Sequence, residues 1–167
     1  AFAGINPWRQ TAPEDLLKCL DSGARGVKLH PVRDAYSLAD KRLVDPIFTV
    51  CAQRKVPILC HGLCEWSNTP WQFSEMARRF PEVTLIMAHG GHLWLREDAI
   101  EVVKRHSNLY VESSLMYSGY IRRYVREISA ERVMMGTDSP VDEFRVEMKK
   151  IEMAVDDQRE RELVMGG

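Results

Sequence analysis

The sequence predicts an α/β fold of parallel strand–helix units, built as an incomplete TIM-like (β/α)8 barrel. Short apolar runs alternate with longer amphipathic segments along the whole length, which is the pattern of successive βα units. The short runs are almost continuously apolar, as strands covered on both faces are. The chain has 167 residues, and a full eight-unit barrel takes roughly 200 or more. One partial barrel domain over residues 1–167 is therefore expected.

Each element has its own justification. Phe2–Pro7 reads as a strand ending in a turn. Pro13 to Leu20 reads as a helix, with Pro in the first turn and Gly23 beyond the end. Gly26–Pro31 is the second strand. Asp45-Pro46 is expected to open a helix through Lys55, with Asp as the cap and Pro at the first helical position. Val56–His61 is the third strand, and Thr69-Pro70 repeats the cap-plus-Pro pattern ahead of a helix to Phe80. Val83–His89 is the fourth and clearest strand, followed by a helix from Leu93 to Lys104. Leu109–Ser113 and Arg132–Asp138 are the fifth and sixth strands, separated by a helix near Gly119–Ile128. Helical stretches at Glu143–Val155 and Gln158–Met165 close the chain.

Composition narrows the function. Charged residues make up 28% and the formal net charge is −1, with no basic stripe, so neither nucleic acid nor an anionic membrane is an expected partner. No apolar run approaches the roughly 18 residues of a membrane span. The four cysteines, Cys19, Cys51, Cys60 and Cys64, do not form a secreted disulfide framework and read as reduced thiols of a cytoplasmic protein. Cys60 and Cys64 flank His61, but without a second distant pair they are a poor zinc signature.

The informative residues stand where strands stop. Three runs end in metal-competent side chains: Cys60-His61-Gly62, Ala88-His89-Gly90-Gly91 and Gly136-Thr137-Asp138-Ser139-Pro140. A fourth, Gly26-Val27-Lys28-Leu29-His30, ends the same way. In a (β/α) barrel the C-terminal strand ends meet at one mouth, where active sites form. Strand alternation groups His61 with Leu59 and Pro57, His89 with Met87 and Leu85, Asp138 with Gly136 and Met134, and Lys28 with His30. All of these terminal groups are expected to point into the barrel. Two imidazoles and a carboxylate suit a divalent ion, Zn²⁺ by preference, with an open position for catalysis.

At these residues the sequence resembles the amidohydrolase superfamily, in the amidohydrolase-related group that includes aminocarboxymuconate-semialdehyde decarboxylase and pyrone-dicarboxylate lactonase. The matching stretches are Phe2–Pro7, Gly23–Pro31, Val56–Gly62, Pro81–Gly91, Asn108–Ser113 and Arg132–Pro140, in family order over nearly the whole chain. The resemblance implies that these segments are strands three to eight of the barrel, with strands one and two missing. It implies that His61 is a metal ligand, that His89 is a ligand or a polarising base, and that Asp138 is a ligand and proton shuttle. Lys28 occupies the strand where some members carry a bridging carboxylated lysine; a substrate-anion contact or interior ion pair is its other role. The family's first strand brings a His-x-His pair, and this chain contains none. A longer parent protein is the expected reason.

The leading expectation is metal-assisted hydrolysis of an amide, lactone or related bond in a small carboxylated or aromatic molecule. Asp138 would take the water's proton and His89 would polarise the carbonyl. Non-oxidative decarboxylation of an aromatic or muconate-type acid uses the same parts. A catalytically incomplete fragment, paired with another copy as a homo-oligomer, is the third possibility. Lys28, His30, Trp66, His92 and Trp94 are the candidate substrate contacts. Glu112 faces the mouth in one of two registers, and His106 reads as solvated surface.

Overall fold

The computed structural model describes residues 1–63, 66–91 and 94–166. Among these, six strands form one parallel sheet in sequential order: β1 (Ala3–Gly4), β2 (Val27–Leu29), β3 (Ile58–Cys60), β4 (Leu85–Met87), β5 (Leu109–Glu112) and β6 (Val133–Met134). At least one helix separates each strand from the next: α1 (Ala12–Asp21), α2 (Lys41–Arg54), α3 (Pro70–Arg79), α4 (Arg96–Arg105) and α5 (Ser118–Glu127). Helices α6 (Phe144–Ala154) and α7 (Gln158–Val164) follow β6. Sequential parallel pairing through helical crossovers is the wall of a (β/α) barrel. Each expected apolar run contains its strand, and the run's remaining residues form loop or short 3-10 turns at the strand ends.

Two helices start elsewhere than the sequence pattern suggests: α4 at Arg96 instead of Leu93, which lies outside the described residues, and α2. α2 begins at Lys41, where the Asp40 side chain accepts from the N–H groups of Arg42 (2.9 Å) and Leu43 (3.2 Å). Pro46 lies inside the helix instead of at its first position. The apolar stripe explains the earlier start. Val44, Ile47, Phe48 and Cys51 are all buried at helical spacing, and a helix opening at Asp45 would leave Val44 off that stripe.

The sheet has two unlike faces. Val27, Leu29, Ile58, Cys60, Leu85, Met87, Leu109, Val111 and Val133 lie on the side covered by helices and are fully buried. Burying side chains of this kind stabilises the fold by about 1.5–3 kcal/mol each relative to exposure. The other face follows the strand register Gly4–Lys28–Leu59–Ile86–Tyr110, and continues with Glu112 beside Met134. It is the inner face of the barrel wall, and it carries the polar residues that matter below. No helix among the described residues is long and apolar enough to cross a membrane.

Candidate active site

Three imidazoles meet at the C-terminal ends of the strands. His61, the residue after β3, donates its backbone N–H to Leu29 O of β2 (3.0 Å), which fixes its place beside that strand's end. Its ring stacks on His30 with centroids 3.9 Å apart and planes 19° apart. Its Nδ1 lies 3.2 Å from Nε2 of His89, and these two rings meet edge to face. Both residues are buried, His61 at 8% and His89 at 2% exposure.

His89 does not reach this position by simple alternation. Leu85 and Met87 lie on the helix-covered face, so the expected grouping of His89 with them is corrected. Beyond Met87 the chain coils into a short 3-10 turn, and His89 (φ 61) and Gly90 (φ 51) adopt left-handed backbone. That turn swings His89 out of the strand's alternation and towards His61. A non-glycine residue in this region is held by its surroundings. Here the Glu112 carboxylate accepts from His89 N–H (3.3 Å), and the Tyr124 hydroxyl donates to Gly90 O (2.5 Å).

Glu112 and Ser114 then set the His89 tautomer. Glu112 Oε1 accepts from Ser114 N–H (2.7 Å), and Glu112 Oε2 accepts from the Ser114 hydroxyl (2.8 Å). The hydroxyl's one proton is thereby committed, so its oxygen accepts from Nδ1–H of His89 (2.8 Å). The Nε2 lone pair of His89 is left facing His61. Glu112 thus lies on the inner face, which resolves its register. Ser114 was missed in the sequence because a serine after a strand carries no distinguishing pattern.

The cluster favours uncharged imidazoles. Burial pulls the His61 pKa down to about 3, helped by neighbouring His30, His89 and Lys28. Burial also lowers His89, against the opposing carboxylates of Glu112 and Asp138, and lowers His30, helped by Arg33 and Lys28. Lys28, on the inner face of β2, is therefore electrostatically coupled to all three rings. Among the described residues, no carboxylate forms an ion pair with it. Asp138 follows β6 in left-handed backbone (φ 49) and is exposed, close enough to influence His89.

A divalent ion fits the facing imidazoles. Neutral imidazole is the ligating form. A tetrahedral ion with bonds of about 2.05 Å sets two ligand nitrogens about 3.3 Å apart, and the facing nitrogens of His61 and His89 are 3.2 Å apart. The Ser114–Glu112 arrangement behind His89 is the outer support that metal-bound histidines usually have. Among the described residues, no group of three His, Cys, Asp or Glu side chains is arranged to hold a metal.

The remaining candidates divide. His30 belongs to the cluster. Trp66 and Trp94 stand on the rim loops at 73% and 81% exposure, outside the buried cluster, and Trp94 is not a core residue. His92 lies outside the described residues, as does Cys64. Cys60 faces the helices, and burial pushes its thiol up, so it is no thiolate partner for His61. His106 is half-buried and bonded to the Ser74 hydroxyl (2.7 Å), so it is not free surface.

The sequence description of the Amidohydrolase family matches residues 1–167. The chain belongs to the amidohydrolase family. Solved structures agree on the fold of this amidohydrolase-family chain. An uncharacterised TIM-barrel protein from Bordetella bronchiseptica is 20% identical with a TM-score of 0.82, over 99% of this chain and 62% of that one. A 5-carboxyvanillate decarboxylase from Sphingomonas paucimobilis is 14% identical with a TM-score of 0.73, over 99% and 64%. A dihydroxybenzoic acid decarboxylase from Polaromonas, solved with manganese and 2-nitroresorcinol, is 14% identical with a TM-score of 0.68, over 95% and 63%. The chain spans a little under two thirds of the length of each. No curated protein matches it.

Proposed function

We propose that this chain carries the metal-binding wall of an enzyme that decarboxylates a small aromatic acid without oxidation. The observation that carries the reading is the pair of neutral imidazoles, His61 and His89, facing each other at 3.2 Å beside the Lys28 ammonium. Metal-dependent chemistry suits the facing nitrogens, an anionic substrate suits Lys28, and two of the structural neighbours act on carboxylated phenols by name.

A divalent cation held by His61 and His89 would supply a Lewis acid that orients a substrate oxygen. The chain's own residues do the rest. Lys28 pairs with an anionic oxygen that the substrate keeps, since pairing with the departing carboxylate would stabilise the ground state and slow the reaction. The stacked rings of His30 and His61 exclude water beside it. Asp138, exposed at the mouth, relays a proton from solvent water to the ring carbon as the carbon–carbon bond breaks. The bond's electron pair stays on that carbon and carbon dioxide leaves.

Hydrolysis of an amide or lactone is the second reading. The exposed Asp138 carboxylate favours it, because a solvent-facing base near a cation held by His61 and His89 would also suit water activation. The test is release of labelled carbon dioxide from dihydroxybenzoates by the full-length protein loaded with Zn²⁺ or Mn²⁺. Turnover of lactones with no carbon dioxide release selects hydrolysis instead. Asp138→Ala is expected to lower kcat at least about 100-fold, and unchanged activity overturns both readings. Lys28→Met is expected to raise KM about tenfold for anionic substrates.

A further inference from the structure

We propose that Glu147, a buried carboxylate on α6, is a positioning residue for His89, acting through Leu115 and Ser114. The inference rests on the metal-site reading of His89 given above. Glu147 is fully buried and lies outside the strand-end cluster, on a helix that follows the last strand. Its Oε1 accepts from Lys150 Nζ (2.6 Å) and also from the backbone N–H of Leu115 (3.2 Å). A buried carboxylate kept only as one half of an ion pair is commonly replaceable by apolar residues of similar volume. The bond to Leu115 gives this one a second task.

Leu115 is in left-handed backbone (φ 63), which a leucine holds only when its neighbours enforce it. Met116 N–H donates to Ser113 O (3.1 Å), closing the turn on one side. Glu147 holds its apex from the other. The residue inside this turn is Ser114, whose hydroxyl (2.8 Å) and carbonyl oxygen (3.4 Å) both face Nδ1 of His89. The series Glu147–Leu115–Ser114–His89 therefore joins α6 to the imidazole whose Nε2 faces His61. Outer partners of a metal-binding histidine typically alter metal affinity by about 10–100-fold when removed.

The experiment replaces buried Glu147 together with its half-buried partner, in Glu147→Met/Lys150→Met, so that no Lys150 ammonium is left facing an apolar side chain; Asp142, which Lys150 also meets (3.2 Å), is half-buried and keeps access to solvent. It compares this variant with Glu147→Gln, whose amide oxygen still accepts from Leu115. The readouts are the ring ¹⁵N shifts of His89 in the metal-free full chain and its Zn²⁺ affinity. The unmodified chain and Glu147→Gln are expected to show His89 protonated on Nδ1, with affinities within about twofold of each other. The apolar variant is expected to show a mixed tautomer and about tenfold weaker Zn²⁺ binding. Adding Ser114→Ala to the apolar variant is expected to weaken binding no further than Ser114→Ala alone. An apolar variant that lowers Tm but keeps the His89 shifts and the Zn²⁺ affinity overturns the proposal. So does an apolar variant that folds no better than a random coil while Glu147→Gln already alters the His89 shifts. Failure of the unmodified chain to bind Zn²⁺ overturns the metal-site reading instead, and the His89 shifts still decide the role of Glu147.

Discussion

A methyl group at Gly136 would overlap the carboxylate of Glu112. That carboxylate is not free to swing aside, because it accepts from His89 N–H, Ser114 N–H and the Ser114 hydroxyl at once. Gly136 is thus bare because the strand-end cluster occupies its side-chain space. Gly136→Ala is expected to dislodge Glu112, release the Nδ1 side of His89 and weaken Zn²⁺ binding about tenfold. Isothermal titration checks it, and an unchanged affinity would mean that Glu112 does not hold His89. At this scale the sequence was readable in part. His61, His89 and Asp138 stood out because they ended apolar runs. Ser114 and Glu147 did not, because a hydroxyl and a helix glutamate look the same in sequence whether they face solvent or a buried neighbour.

At the scale of elements, the helices were legible from caps and apolar stripes, except at the starts of α2 and α4; in α2 the expected cap, Asp45, is not the one the structure uses. Asp40 and Asp45 both offer a carboxylate ahead of helical residues, and Asp45 has the added Pro46. The structure uses Asp40, since that start brings Val44 under the sheet with Ile47 and Phe48. Asp40→Ala is expected to destabilise the fold by about 1 kcal/mol through two lost N-terminal hydrogen bonds. A denaturant melt with unchanged midpoint would contradict that role. The fourth strand was overextended for a related reason. Val83 to Ala88 is apolar apart from Thr84, and nothing local in that run shows that the chain turns left-handed at His89.

At the scale of the molecule, the buried uncharged cluster makes the metal-free fold sensitive to acid. The His61 pKa falls from 6.5 to about 3 on folding, chiefly by burial. Between those values the unfolded chain binds a proton that the folded chain refuses, so folding stability decreases as pH falls through that window and is fully present above it. Urea melts of the metal-free chain at pH 7.5 and about pH 4.5 are expected to show the loss, and His61→Phe is expected to reduce it. Equal pH dependence in both chains would place the acid sensitivity elsewhere.

The sequence by itself determined the order of the βα units, the covered apolar strands and the family, because these depend on local periodicity and on motifs that each lie within one segment. It also marked which strand ends carry imidazole and carboxylate. Only the tertiary structure decided how those groups meet: the His30–His61 stack, the left-handed turn that aims His89, and the Glu112–Ser114 support behind it. Period-two alternation is carried along a strand only while the backbone stays extended. Past the last extended residue, direction is set by contacts with residues distant in the chain, and no local pattern encodes them.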